Sequence, residues 1–460
     1  MCLCLWRGVM FGGFCCSGVC WDVEHSVGGV RMFGDLNVRR KLNLRLQNYN
    51  RRKTDWHEQT RRSFQISFVC RRYCCRITLE TMLLRYQEPV KLKTKRVVYE
   101  ENYYARDSGT LEQLKELSTK RQAFEESING SSKITPAIAR EMAGGITSPI
   151  LQDLQKLERY LPLLENLVKC VEEKKNNPKI VQWTTDLAIR WTSPLSGSSG
   201  KLFTGPKYFR VDDLRYELGM TFFLYGALQR ELAMEVLSTD IVEAGALFRR
   251  ASGIFKHLAE NVLPPLQPFL PPDRGPEATA SMAAVMSTIC LAEAQAVTIL
   301  KAEEKGTSGS LLAKLHYGVV QFLEEASLLL RTSAADWTDV SDKLRKFIGV
   351  CSVLHESRSQ RYIAAEYTKV ESFGVAIGIL RYSLSRVQSV RPSEEVWKLP
   401  FRQELDTLRN MLRKADHENE FIWREKPPRV DELPALEGKQ IVQPIAYQPF
   451  GLDREFIFVT

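Results

Sequence analysis

Through most of this chain apolar residues recur every three or four positions, with polar residues filling the gaps. Leu151, Leu154, Leu157, Leu161, Leu164, Leu167, Val168 and Val171 form one such stripe. That period belongs to a helix with one face in a core, or to two helices parted at Pro162. Similar stripes run over about 212–237, 239–263, 277–305, 310–332, 336–388 and 394–424. Between them lie a Gly/Ser/Pro loop at 193–205, six prolines in 264–276 and a short Gly-bearing connection at 306–309. Helices joined by a few residues pack antiparallel, and several such pairs in series give a stack of hairpins. The pattern therefore predicts a mainly α fold, a curved helical solenoid with tetratricopeptide-like hairpins and no strict repeat period.

Two segments break the period. Residues 91–104 (KLKTKRVVYEENYY) are rich in β-branched and aromatic residues and predict short strands, hence a small β-sheet near the N-terminal side of the domain. After Pro427, Pro428, Pro434, Pro444 and Pro449 forbid a long helix. The chain there is expected to run extended along the helical body, with residues 455–460 (EFIFVT) adding a strand.

Charge changes the picture at one end only. The net charge is +9, and residues 1–80 carry 14 Lys/Arg against 6 Asp/Glu, which leaves the other 380 residues nearly neutral at 50 against 49. Eight of the eleven cysteines lie in the first 75 residues. The remaining three, Cys170, Cys290 and Cys351, are widely spaced, as expected of buried thiols in a reducing compartment. Residues 1–81 are read as a separate basic, Cys-rich extension, disordered or spurious, with the functional start near Met82. A targeting peptide fits its basic character but not its cysteines and acids. Cys70, Cys74 and Cys75 lack the paired spacing of a zinc module. No apolar run is long enough to span a membrane, and no secretory signal is recognisable. A cytoplasmic protein is expected.

Catalytic chemistry is hard to find. The six histidines are scattered outside metal-ligand spacings, and His257 and His316 read as structural or surface residues. GSSGK at 197–201 resembles a phosphate loop but lacks its spacing, and Leu202 stands where the metal-binding hydroxyl belongs. Nucleophile-elbow, kinase and dinucleotide signatures are absent. No enzyme activity, metal or cofactor is expected.

The positive signal is a surface. Within 310–330, Leu311, Leu315, Phe322, Ala326 and Leu329 form one stripe while Leu312, Leu323 and Leu330 lie about 100° around the axis. A helix apolar on more than one side can face a core and also line a groove for an amphipathic partner helix. On pattern alone, burial is the commoner fate of such leucines.

Three segments, 291–315 (LAEAQAVTILKAEEKGTSGSLLAKL), 251–263 (ASGIFKHLAENVL) and 419–439 (NEFIWREKPPRVDELPALEGK), occur in the order and at the spacing of the BRO domain family, which the chain resembles. The resemblance covers about 82–450 and leaves 451–460 as a short tail. It implies a stand-alone, non-catalytic endosomal scaffold that docks the C-terminal amphipathic helix of an ESCRT-III subunit (charged multivesicular body protein type), with micromolar affinity. Endosomal recruitment would come through that partner. No nucleic acid or small-molecule substrate is expected. Carried over without gaps, the partner-binding positions fall on Thr298, Leu311 and Leu315, where relatives have an aromatic and two aliphatics. Thr298 departs from that pattern, and losing a hot-spot aromatic costs roughly 1 kcal/mol or more. Charged residues that support the partner elsewhere have no counterpart around 238–243. Trp423 stands where relatives often have Tyr, which removes a phosphorylatable hydroxyl. No coiled-coil region, Pro-rich tail or C-terminal prenylation cysteine is expected after the domain. The rival reading is a nucleic-acid-binding or organelle-targeted protein acting through its basic first 80 residues.

Overall fold

The computed structural model describes residues 83–130, 148–197, 206–333 and 340–459. The expectations for 1–81 and for the 197–201 loop fall almost entirely outside them. The described residues contain α1 (Ser108–Ile128), α2 (Pro149–Glu173), α3 (Pro178–Asp186), α4 (Leu214–Val236), α5 (Ile241–His257), α6 (Ala280–Glu304), α7 (Gly309–Thr332), α8 (Asp342–Lys369), α9 (Phe373–Ser389) and α10 (Glu395–Glu418). Sequence neighbours pack on one another from α4 through α10, and α2 bridges α1 to α4. The result is the expected helical solenoid.

Side-chain caps fix many helix starts. Asp107, Ser148, Asn177, Asp213, Asp240, Thr279 and Ser341 each accept a hydrogen bond from a first-turn amide. Each cap satisfies an otherwise orphaned donor and stabilises its helix by about 1 kcal/mol. Pro162 does not part α2, which is one helix from Pro149 to Glu173. The stripe read over 336–388 is in fact two helices. They separate where Glu371 adopts the left-handed conformation (φ 63°).

A small sheet is present, but its strands are not the ones expected: residues 91–104 contribute only the single bridge residue Thr94, because the chain there turns at 99–103 and does not run on as a strand. β1 (Arg190–Thr192) pairs antiparallel with β2 (Tyr208–Arg210), with Trp191 opposite Phe209, and Thr94 bridges to Trp191. Behind it, Arg121 and Glu217 form an ion pair with no exposed surface at 3.2 Å. Tyr160 Oη and Trp191 Nε1 donate to the same carboxylate at 3.0 and 2.7 Å. Arg121 also reaches Glu125 and Thr94, at 2.7 and 2.6 Å.

α6 is the only described helix long and apolar enough to cross a membrane, yet most of that apolar window is buried within the protein. It sits between α5 and α7. The three cysteines of this body are free and buried.

From Arg424 onward the chain is an extended strap that runs back across the helices. Glu425 accepts from Gly374 N on α9, Lys439 N donates to the Lys314 carbonyl on α7, Ile441 N to Gln295 on α6 and Ile445 N to the Arg249 carbonyl on α5. Helix glycines permit this approach: a β-carbon on Gly318 would collide with the Lys439 carbonyl, and one on Gly253 with the Ile445 carbonyl. Further on, Tyr447 packs edge-on against Phe222 of α4, and Arg454 N binds Asn166 of α2. Ala105 bridges to Phe458. Phe456 and Phe458 are buried, so the packed body extends beyond the expected end at Phe450 and takes in the residues read as a tail.

Candidate binding face on α6 and α7

Gln295 organises the face that the strap crosses. It is fully buried in the middle of α6. Its amide nitrogen donates to the Leu315 carbonyl at 2.7 Å and to the Lys439 carbonyl at 3.0 Å, and its oxygen accepts from Ile441 N at 3.0 Å. One side chain thus ties α6, α7 and the strap together. Sequence reasoning passed over it. The available signal was a lone amide within AEAQAVTIL, where a buried polar group must find partners.

The Gln295–Leu315 contact sets the antiparallel register of α6 and α7. One turn further, Thr298 comes level with Leu311. Thr298 is partly buried and its hydroxyl donates back to the Ala294 carbonyl at 2.9 Å. Its donor is therefore used, and an outside partner would meet the methyl and the acceptor side of the hydroxyl. Leu311 is partly buried against the core. Leu315 differs from both: at 3% exposure it belongs to the core. Of the three candidates, Thr298 and Leu311 therefore present surface, while Leu315 supports it from beneath. Leu315 packs in the hydrophobic core, and strap residues 437–441 lie against α7 beside it, at Lys314 and Gly318.

Neighbouring elements widen the apolar area. The Ser252–Ser287 hydrogen bond and the approach of Gly245 to Val297 bring the first turn of α5 level with Thr298. Val242 there is 67% exposed, and Ile441 on the strap 45%. Charges on this side are mostly paired, Lys314 with Glu437 at 2.7 Å and Arg250 with Glu243 at 2.9 Å. The face has aliphatic groups beside paired charges, which suits an apolar stripe on a partner helix.

Beneath the face lies a histidine pair. The Nδ1 atoms of His316 and His355 are 3.0 Å apart, and both rings are buried. Burial, with Arg358 nearby, holds both well below the usual imidazole range, so one ring donates to the other as neutral tautomers. His316 Nε2 faces the Glu303 carboxylate at 3.9 Å and makes no hydrogen bond. The structural reading of His316 holds. Among the described residues no cluster of His, Cys, Asp or Glu is arranged to hold a metal.

Comparison with known proteins places this strap-crossed helical stack in a family. The chain belongs to the BRO1-like domain family, whose model matches residues 100–456. It is 25% identical to the human BRO1 domain-containing protein BROX over 312 residues, covering 63% of this chain and 72% of that protein. It is 22% identical to programmed cell death 6-interacting protein of Xenopus laevis, covering 62% of this chain and 32% of that longer relative. Among solved structures, the ALIX BRO1 domain in complex with CHMP4C superposes with a TM-score of 0.58 at 19% identity, over 78% of this chain and 95% of that one. A Bro1 domain whose structure was solved as the basis for endosomal targeting matches with a TM-score of 0.53 at 16% identity, over 77% and 91%.

Proposed function

We propose that this protein is a non-catalytic cytoplasmic scaffold, recruited to endosomes, whose α6–α7 face docks the C-terminal amphipathic helix of an ESCRT-III subunit. The observation that supports the reading is the pair of partly buried positions Thr298 and Leu311 on α6 and α7, with exposed Val242 and Ile441 on neighbouring elements and Leu315 and Gln295 packed in the core. Together they suit the spaced apolar anchors of a partner helix. The fold likeness to the CHMP4C-bound domain supports the choice of partner class. Thr298 supplies less contact than an aromatic, so affinity is expected in the micromolar range.

The test is fluorescence anisotropy of a labelled ESCRT-III C-terminal helix with the full chain and with Leu311→Asp. Saturable binding weakened at least about tenfold, a change of roughly 1.4 kcal/mol, with an unaltered melting curve, supports the proposal. A folded wild type that does not bind, or a variant that binds equally well, refutes it. Leu315→Asp is unsuitable because it places a charge in the core and perturbs the fold itself.

A further inference from the structure

The outer face of the small sheet carries a pattern of charge that folding does not require. In the β1–β2 register Arg190 stands directly opposite Arg210. Residues 93–95 lie along the other edge of β1. There Lys95 N donates to the Arg190 carbonyl at 3.1 Å, and Thr192 N donates to the Lys93 carbonyl at 2.8 Å. Lys95 is therefore the residue opposite Arg190. Lys95, Arg190 and Arg210 form one row of exposed cations across the sheet, with exposed Lys93 two residues from Lys95 on the same side. The other face is apolar, and its Trp191 and Phe209 are buried in the protein.

Like charges placed directly opposite on neighbouring strands repel, so the sheet gains nothing from this row. Arg210 has some relief, because its Nε donates to Asp212 at 2.6 Å and its Nη2 to the Thr185 carbonyl at 3.3 Å. Among the described residues no ion pair relieves Lys93, Lys95 or Arg190. An exposed concentration of one sign attracts a ligand of the other.

The rest of the face decides which anion fits. The row covers two strand spacings, about 10 Å. In an extended polypeptide, side chains on one side recur about every 7 Å. Two acidic residues at alternate positions can thus engage both ends of the row, and arginine holds a carboxylate in bidentate fashion. Single-stranded nucleic acid relies on open aromatic rings for base stacking. Here the Tyr208 ring is covered by Lys95 Nζ, 4.6 Å from its centroid. A membrane-docking surface inserts apolar side chains beside its cations. Among the described residues this face exposes no large apolar side chain.

We propose that the outer face of this sheet docks an extended acidic segment of a partner polypeptide, with alternate carboxylates held by Lys95, Arg190 and Arg210. The surface is built on different elements from the α6–α7 face.

The experiment is fluorescence anisotropy of the full chain at low salt with a labelled decapeptide of alternating Glu and Ser, and with its Gln/Ser counterpart. Saturable binding is expected for the acidic peptide alone, weakened by added salt and at least about fivefold weaker in Arg190→Gln/Arg210→Gln. Arg402→Gln/Arg409→Gln removes the same charge from the exposed side of α10 and should bind like wild type. Comparing variants of the full chain cancels any contribution from the basic first 80 residues. No binding by wild type, or equal weakening in both double variants, would overturn the proposal. So would tighter binding of phosphatidylserine vesicles or of a single-stranded oligothymidylate with the same dependence on Arg190 and Arg210, which would assign the face to a membrane or to nucleic acid. Relief of the opposed charges predicts that Arg190→Gln melts no lower than wild type, and a clear drop in Tm would show that the row serves the fold and not a ligand. Unchanged affinity of Arg190→Gln/Arg210→Gln for the ESCRT-III helix is the expected sign that the two surfaces are separate, and a parallel loss at both would refute that separation.

Discussion

Two buried polar clusters divide the labour in this domain. Around Arg121 and Glu217 both members of the charge pair have partners, and the carboxylate alone receives donors from an arginine, a tyrosine and a tryptophan. In the histidine pair of α7 and α8, His316 Nε2 has no hydrogen bond. A completed network commits its surroundings to one geometry, whereas a buried polar atom left without a partner costs stability. The N-terminal cluster is thus a fixed joint between helices and sheet. The histidine pair lies beneath the face proposed to dock a partner helix.

The contrast can be broken most forcefully at Glu217. Glu217→Ala leaves the buried Arg121 charge with Glu125 as its remaining carboxylate and strips Tyr160 and Trp191 of their acceptor, and a loss of about 3–5 kcal/mol is expected in urea unfolding. Replacing Gln295 by Met leaves the Ile441 amide and the Leu315 and Lys439 carbonyls without their shared partner. The expected cost is about 2–3 kcal/mol, with hydrogen exchange accelerated selectively in residues 437–445. A fully uniform loss of protection would show that Gln295 does not pin the strap.

The histidine pair sharpens the comparison through pH. Both imidazoles are depressed in the folded state, so the unfolded chain takes up their protons first. Their contribution is intact above the unfolded value near 6.5 and is lost as pH falls toward their folded values. Burial raises Glu165 and Glu277 to about 7, which acts oppositely over the same window. Comparison with His316→Gln/His355→Gln cancels that background. Between pH 6.5 and 5.5 the wild type should lose up to about 2 kcal/mol relative to the double variant, measured by urea midpoints at each pH. The smallest effect is a gain: Thr298→Phe should tighten partner-helix binding by about 1 kcal/mol, read by anisotropy, while stability stays unchanged.

How much of this was legible depended on whether the determinant was local. The stripe from Leu154 to Val171 announced α2, and the prolines after Pro427 announced an extended segment. The break between α8 and α9 was hidden because Glu371, rather than glycine, takes the left-handed conformation there. At the candidate site, periodicity showed α7 to be apolar on more than one side. It did not show which side the strap would occupy, because the strap comes from more than a hundred residues away. Pattern alone favoured burial for both leucines while the resemblance set both on the partner-binding face; Leu315 is core, whereas Leu311, one turn earlier, remains partly open. Gln295 carried a signal in its isolation, but its three partners lie on other segments.

The strap has a further consequence for biosynthesis. A stack of helical hairpins needs mostly local contacts and can assemble as it emerges from the ribosome. Here Ile457 N binds Thr110 across 347 residues, and Arg454 reaches Glu116 across 338. The first helix stays incomplete until nearly the whole domain has been synthesised. An array that could have matured one hairpin at a time becomes a closed circuit, and a nascent chain stalled before residue 445 would expose the unsealed faces of α5 through α7 to chaperones.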